Sequence, residues 1–178
     1  MDLLLNIILD FGLLAVPIAY VKFFEKKEIN LKEFGLEKKN ALPDAILTSK
    51  IFLTLFIYSI ILSLALLVFG ISDFQGVESA LRNLVAVSPL LLIYLFIVRV
   101  FLEEFFFRAF LVPRTGVVVS SVIFGALHFG YGSIGEIIGA VFLGMILAIS
   151  YKENNRLMPN FLAHLLYNMI AVLTLVAV

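Results

Sequence analysis

The stretch VFLEEFFFRAFL, residues 100–111, places Glu103, Glu104 and Arg108 inside a run of phenylalanine, leucine and valine. Two later apolar runs also carry reactive polar groups: FGALH, which ends at His128, and HLLYN, which holds His164 and Asn168. These are the chain's only two histidines. A glutamate and a neutral histidine on opposite walls of a cavity can hold a water, remove its proton and aim it at a carbonyl, which is general-base hydrolysis. His164 and Asn168 are four apart and share a helical face, where both can donate hydrogen bonds to the oxyanion that forms. Losing one such donor typically costs about 2.7–4 kcal/mol of transition-state stabilisation. The candidate chemistry is therefore acyl hydrolysis. The chain has no G-x-S-x-G elbow and no H-E-x-x-H, so serine hydrolase and ordinary zincin readings lack their motifs. Cysteine is absent, which excludes disulfides, thiolate metal sites and a cysteine nucleophile.

Membrane-spanning helices must position these groups. Of the 178 residues, 62% are hydrophobic and 15% charged, and the mean hydropathy is +1.11, far from a soluble domain of average composition. A bilayer core about 30 Å thick takes roughly 20 apolar residues in helix. About six stretches qualify: Leu3–Val21, Ile46–Phe69, Leu84–Leu111, Val117–Gly130, Ile134–Tyr151 and Pro159–Val178. The runs are continuous rather than alternating, which excludes a membrane β-barrel and predicts an all-α, polytopic transmembrane bundle. The first reads as a retained span rather than a signal peptide, having no basic flank before it and no small-residue cleavage site after it. Zero net charge and the lack of a basic stripe give no reason to expect nucleic acid.

Basic residues orient the bundle. Lys22–Lys39 holds six lysines against four glutamates, and basic loops mark the cytoplasmic side. The alternate loops with Arg114 and with Lys152 and Arg156 then lie inside too, while the opposite side has only Arg82 and both chain ends. The fifth segment carries small residues at Gly135, Gly139, Ala140, Gly144 and Ala148, a stripe that lets helix backbones approach closely.

A charged side chain at the centre of a span costs about 2.5–3.5 kcal/mol on insertion scales. Glu104 and Arg108 stand four apart with the acid first, the favourable order for a helical ion pair. Glu103 points about 100° away and lacks that partner; Arg99, four residues before it, is an alternative. Depth allows the groups to meet. At ~1.5 Å per residue from a turn at Pro113–Arg114, Glu103 lies ~16 Å and His128 ~21 Å along their helices, while His164 and Asn168 lie ~12 and ~18 Å from Arg156. All four could line one cavity reached from the cytoplasmic face.

In order along the chain, EEFFFR, FGALH and HLLYN resemble the E-E-x-x-x-R, F-x-x-x-H and H-x-x-x-N motifs of the CAAX prenyl endopeptidase and bacteriocin-processing (CPBP, or Abi) family of intramembrane glutamic proteases. The resemblance makes residues 98–171 a catalytic core within a single domain spanning 1–178. It implies Glu103 as general base, His128 as its partner on the water, His164 and Asn168 as the oxyanion hole, and Glu104 and Arg108 as support. It further implies a membrane-associated peptide or lipidated protein C-terminus as substrate, with CAAX-type prenylated proteins cleaved by the eukaryotic members. Ala109 stands where the family often has glycine, and about six spans are expected where the prenyl proteases have about eight.

Two other readings exist. Glu103, His128 and His164 are residues zinc accepts, with water in the fourth position, as in a membrane metallopeptidase. A non-catalytic immunity or binding protein could use the same cavity for a peptide. No cofactor and no catalytic metal are expected: Asn168 on the face of His164 suits two donors aimed at one oxygen, whereas a ligand histidine needs its second nitrogen held by a carboxylate or carbonyl.

Overall fold

The structure, a computed structural model, describes residues 3–37, 41–87 and 89–177, with no strand among them. Helix α1 (Leu3–Ala19) continues through a π-helical turn, Tyr20–Phe24; α2 is Ala41–Val68 and α3 is Gln75–Val87. The next helix, α4 (89–115), alternates α-helical Pro89–Tyr94 and Val100–Glu104 with π-helical Leu95–Arg99 and Phe105–Leu111. Beyond Gly116, α5 (117–131) ends in the 3-10 turn Leu127–Tyr131. Helices α6 (Ile134–Asn154) and α7 (Leu157–Ala177) complete the bundle. Lys38 and Lys39 of the basic loop, and Val178 of the last expected span, lie outside the described residues.

Among the described residues, five stretches are long and apolar enough to cross a bilayer: Ile7–Phe24, Ala41–Val68, Leu95–Tyr131, Ile134–Asn154 and Leu157–Thr174. Helix α2 turns Leu53, Ile57, Ile61, Leu64 and Leu67 outward, as a lipid-facing helix does. Leu95–Tyr131 has 37 residues; as one straight helix it would run about 55 Å, against a hydrocarbon core of roughly 30 Å. It is instead a hairpin. Gly116, at φ +82° and ψ 172°, occupies a backbone region essentially restricted to glycine, and the Ser120 hydroxyl donates to the Phe107 carbonyl at 2.7 Å across the turn. Among the described residues the hairpin thus divides the five apolar stretches into six helical segments, in line with the six expected spans. The reversal comes just after the expected Pro113–Arg114, because both residues still belong to the last turn of α4 and the reversing conformation is open essentially to glycine alone. The third pass also starts later than its apolar residues imply, since residues 84–87 belong to α3.

Loop contacts define the two ends. At the lysine end, Arg114 Nε and Nη2 donate to Glu25 Oε1 at 2.9 and 2.7 Å, Leu157 N–H donates to the Gly35 carbonyl at 3.1 Å, and Arg156 pairs with Asp44. The loop after α1, the α4–α5 turn and the α6–α7 turn therefore share one side. At the other end Asp73, just before α3, caps α6: Ile134 N–H donates to Oδ2 at 2.6 Å, and Gly135 N–H and the Ser133 hydroxyl donate to Oδ1 at 3.1 Å each.

These bonds, the one from Ile134 first, hold the Asp73 carboxyl below its ordinary pKa. A depressed folded-state pKa gives stability that is present above the unfolded value and lost as pH falls through the folded one. Thermal stability is therefore expected to fall on acidification through that window, and Asp73→Asn is expected to be less stable at neutral pH and to show a shallower acid dependence. Melting curves of both proteins across acidic pH check this; parallel curves would contradict it.

Small residues set the packing of α5 on α6 and anchor α6 elsewhere. A Cβ on Gly125 would stand 2.3 Å from Val141 Cγ2, and one on Gly144 3.0 Å from Phe124. Gly135 lies against Phe74, and Ala140 and Ala148 are buried. Gly139 alone of the stripe faces open space.

Candidate active site

Helix α4 presents two charged layers because its glutamates are adjacent. Glu104 and Arg108, 0% and 1% exposed, pair at 3.4 Å between Oε1 and Nε, as their spacing predicts. His164, from α7, donates Nδ1–H to Glu104 Oε1 at 2.9 Å; a carboxylate only accepts, so the proton is on Nδ1. Asn160, one turn before His164, stands beside Glu104 and donates to the Leu147 carbonyl at 2.7 Å. The Arg108 guanidinium lies 4.3 Å from the centre of the Phe124 ring. This layer is sealed towards the lysine end by Val21, Phe34, Phe105, Phe110, Tyr151 and Leu157, with Phe34 of the basic loop stacked on Phe105 at 4.9 Å.

Glu103 belongs to a second, less enclosed layer. Its side chain is 14% exposed, and Arg99 Nε donates to Oε1 at 3.2 Å, so of the two arrangements open in the sequence Glu103 takes the one with Arg99 as partner. Tyr131, at the end of α5, lies within electrostatic reach of Glu103, Arg99 and Glu136. His128, also on α5, donates Nδ1–H to the Phe124 carbonyl at 2.9 Å and meets the Phe124 ring edge-on at 4.8 Å; in the neutral ring Nε2 is then a free acceptor. No hydrogen bond joins Glu103 to His128 among the described residues. Phe124 separates the histidines, its ring 6.0 Å from that of His164. Asn168 is half-buried one turn beyond His164 and has no hydrogen-bond partner among the described residues. Two π-helical segments flank Val100–Glu104, and such bulges frequently occur at functional sites.

The six residues singled out in the sequence thus fall into a directly bonded set, Glu104, Arg108 and His164, and a looser set, Glu103, His128 and Asn168. Residues 85–170, which contain all of them, match the family model of type II CAAX prenyl endopeptidase Rce1-like proteins. This stretch is similar to the CAAX prenyl endopeptidases of the CPBP family. No curated protein and no solved structure matched the chain. Together with the long apolar helices, this similarity supports an integral membrane protein related to CAAX-type proteases.

The CPBP motifs do not include every polar group that shapes the site. Asn160 had a signal, since Asn160, His164 and Asn168 recur every four residues on one face. Asp10 is a lone carboxylate within an apolar span, conspicuous by the criterion that singles out Glu103. Glu136 follows the Ser133 N-cap, whose hydroxyl oxygen accepts from Glu136 N–H at 2.9 Å, and reads in sequence as a capping-box residue; only the fold brings its charge near His128.

Proposed function

We propose that the chain hydrolyses a peptide bond in a membrane-associated substrate, a prenylated CAAX-type C-terminus or another membrane-anchored peptide, with Glu103 as general base. The unequal placement of the two glutamates carries this reading: Glu104 is sealed and held by Arg108 and His164, while Glu103 is partly exposed in the layer that includes His128. Water donates one hydrogen to His128 Nε2 and the other to Glu103, and its oxygen attacks the carbonyl carbon. The proton taken by Glu103 passes to the leaving amine nitrogen as the C–N bond breaks. His164 Nε2–H, when the ring carries both protons with Glu104 as counter-ion, and the Asn168 amide stabilise the oxyanion. Residues 98–171 act as the catalytic core of a single domain.

One observation favours the zinc reading. Both histidines have Nδ1 held, one by a carbonyl and one by a carboxylate, as ligand histidines require. Against it, no three groups among His, Cys, Asp and Glu converge on a metal position among the described residues. The lysines of the basic loop favour a cytoplasmic location for that side, where Phe34 stacks on Phe105.

The deciding experiment incubates the protein, oriented in vesicles, with farnesylated and unmodified peptides on each face, read by mass spectrometry with and without a zinc chelator. Cleavage unaffected by the chelator is expected. Loss on chelation with recovery on added zinc would establish the metallopeptidase, and binding with no cleavage on either face the non-catalytic reading.

A further inference from the structure

Asp10 lies on α1, outside the part of the chain that matches the family. It is 3% exposed, within the first apolar span, where an uncompensated carboxylate is expensive. Two groups of α4 meet it: the Tyr94 hydroxyl donates to Oδ2 at 2.9 Å, and Arg99 Nη1 stands 3.7 Å from Oδ1. The same Arg99 donates from Nε to Glu103 at 3.2 Å. The order within the Arg99–Glu103 pair matters. The base precedes the acid, the less favourable orientation for a pair four apart on a helix, opposite to that of Glu104 and Arg108. Arg99 has a long side chain with much rotamer freedom, and the pair is 20% and 14% exposed, so its own attraction holds the geometry weakly. A second carboxylate on a neighbouring helix, itself fixed by a tyrosine, attracts the other arm of the rigid guanidinium fork from 3.7 Å, as an ion pair without a hydrogen bond.

We propose that Asp10 is a positioning residue for Glu103: with Tyr94 it anchors Arg99, and Arg99 sets where the Glu103 carboxylate stands. This inference rests on the reading of Glu103 as general base. It gives α1 a part in catalysis as well as in packing, and it makes Tyr94, Asp10, Arg99 and Glu103 one chain of contacts from α1 to the reacting water. A base displaced by about an ångström loses rate while substrate binding, made elsewhere, is kept.

The test uses the full chain in phosphatidylethanolamine and phosphatidylglycerol vesicles, with the farnesylated or unmodified peptide that the wild type cleaves fastest. Asp10→Asn is expected to lower kcat roughly 10- to 100-fold with KM within about twofold. In an Arg99→Gln background, where the link is already cut, the same change is expected to lower kcat by no more than about twofold. Unchanged kcat, a rise in KM alone, or losses that multiply in the double variant would overturn the inference. Should Asp10→Asn fail to accumulate, Tyr94→Phe, which keeps both charges, is expected to lower kcat alone by about threefold or more; an unchanged kcat there overturns it equally. Glu103→Gln distinguishes the two failures. If Glu103→Gln still cleaves, or the wild type cleaves no peptide, the base assignment itself falls and the inference with it; if Glu103→Gln is inactive and Asp10→Asn is unaffected, only the inference falls.

Discussion

Glu103→Gln is expected to remain folded in detergent and to lose peptide cleavage by roughly 10³-fold, the range of a general base removed from its reaction. The amide keeps the shape of the side chain and can still accept a hydrogen bond from Arg99. It cannot take a proton from water. The substitution costs little stability because Arg99 does not depend on Glu103 alone: Asp10 stands 3.7 Å from its Nη1, and the pair is partly exposed. Turnover by mass spectrometry, paired with a melting curve of the same preparation, measures both halves. Activity within tenfold of wild type would remove Glu103 from the role of base.

The reading by helical faces succeeded where a single helix decides the contact. Glu104 and Arg108 lie four apart with the acid first, and they pair; Glu103, a step of about 100° round the helix, faces elsewhere. The helical bundle was legible because each apolar run is itself the signal, and even the hairpin was, although its turn depends on a conformation open to Gly116 and not to Pro113 or Arg114. Contacts between helices distant in sequence were not legible. Nothing in HLLYN says that His164 spends Nδ1 on Glu104 rather than working beside Asn168 alone, because that bond depends on how α7 is rotated against α4. The same holds for Asp10, which finds Arg99 only once α1 lies against α4. A ligand histidine needs its second nitrogen held, and both histidines meet that condition only through contacts the sequence does not show.

Glu104→Gln is expected to be the most destabilising of the conservative substitutions in the site, by about 3–5 kcal/mol, the usual cost of removing one partner from a buried pair. Arg108 is 1% exposed and its guanidinium nitrogens make no hydrogen bond among the described residues, so the Glu104 charge 3.4 Å away is its principal compensation. Phe124 and Phe107, 4.3 and 5.9 Å from the guanidinium, offer cation–π attraction of only about 2 kcal/mol even when desolvated. Glutamine still offers His164 an acceptor, which isolates the loss to the charge. If that is the cause, removing the orphaned charge as well should restore the fold: Glu104→Gln with Arg108→Met is expected to melt above Glu104→Gln alone, because apolar replacement of a buried ion pair is often neutral or stabilising. Thermal unfolding of both variants and of Glu103→Gln in one detergent provides the comparison. If Glu104→Gln melts with Glu103→Gln, or the double variant melts below the single, Glu104 does not stabilise the site through Arg108, and the division of the two glutamates into one that supports and one that reacts loses its physical basis.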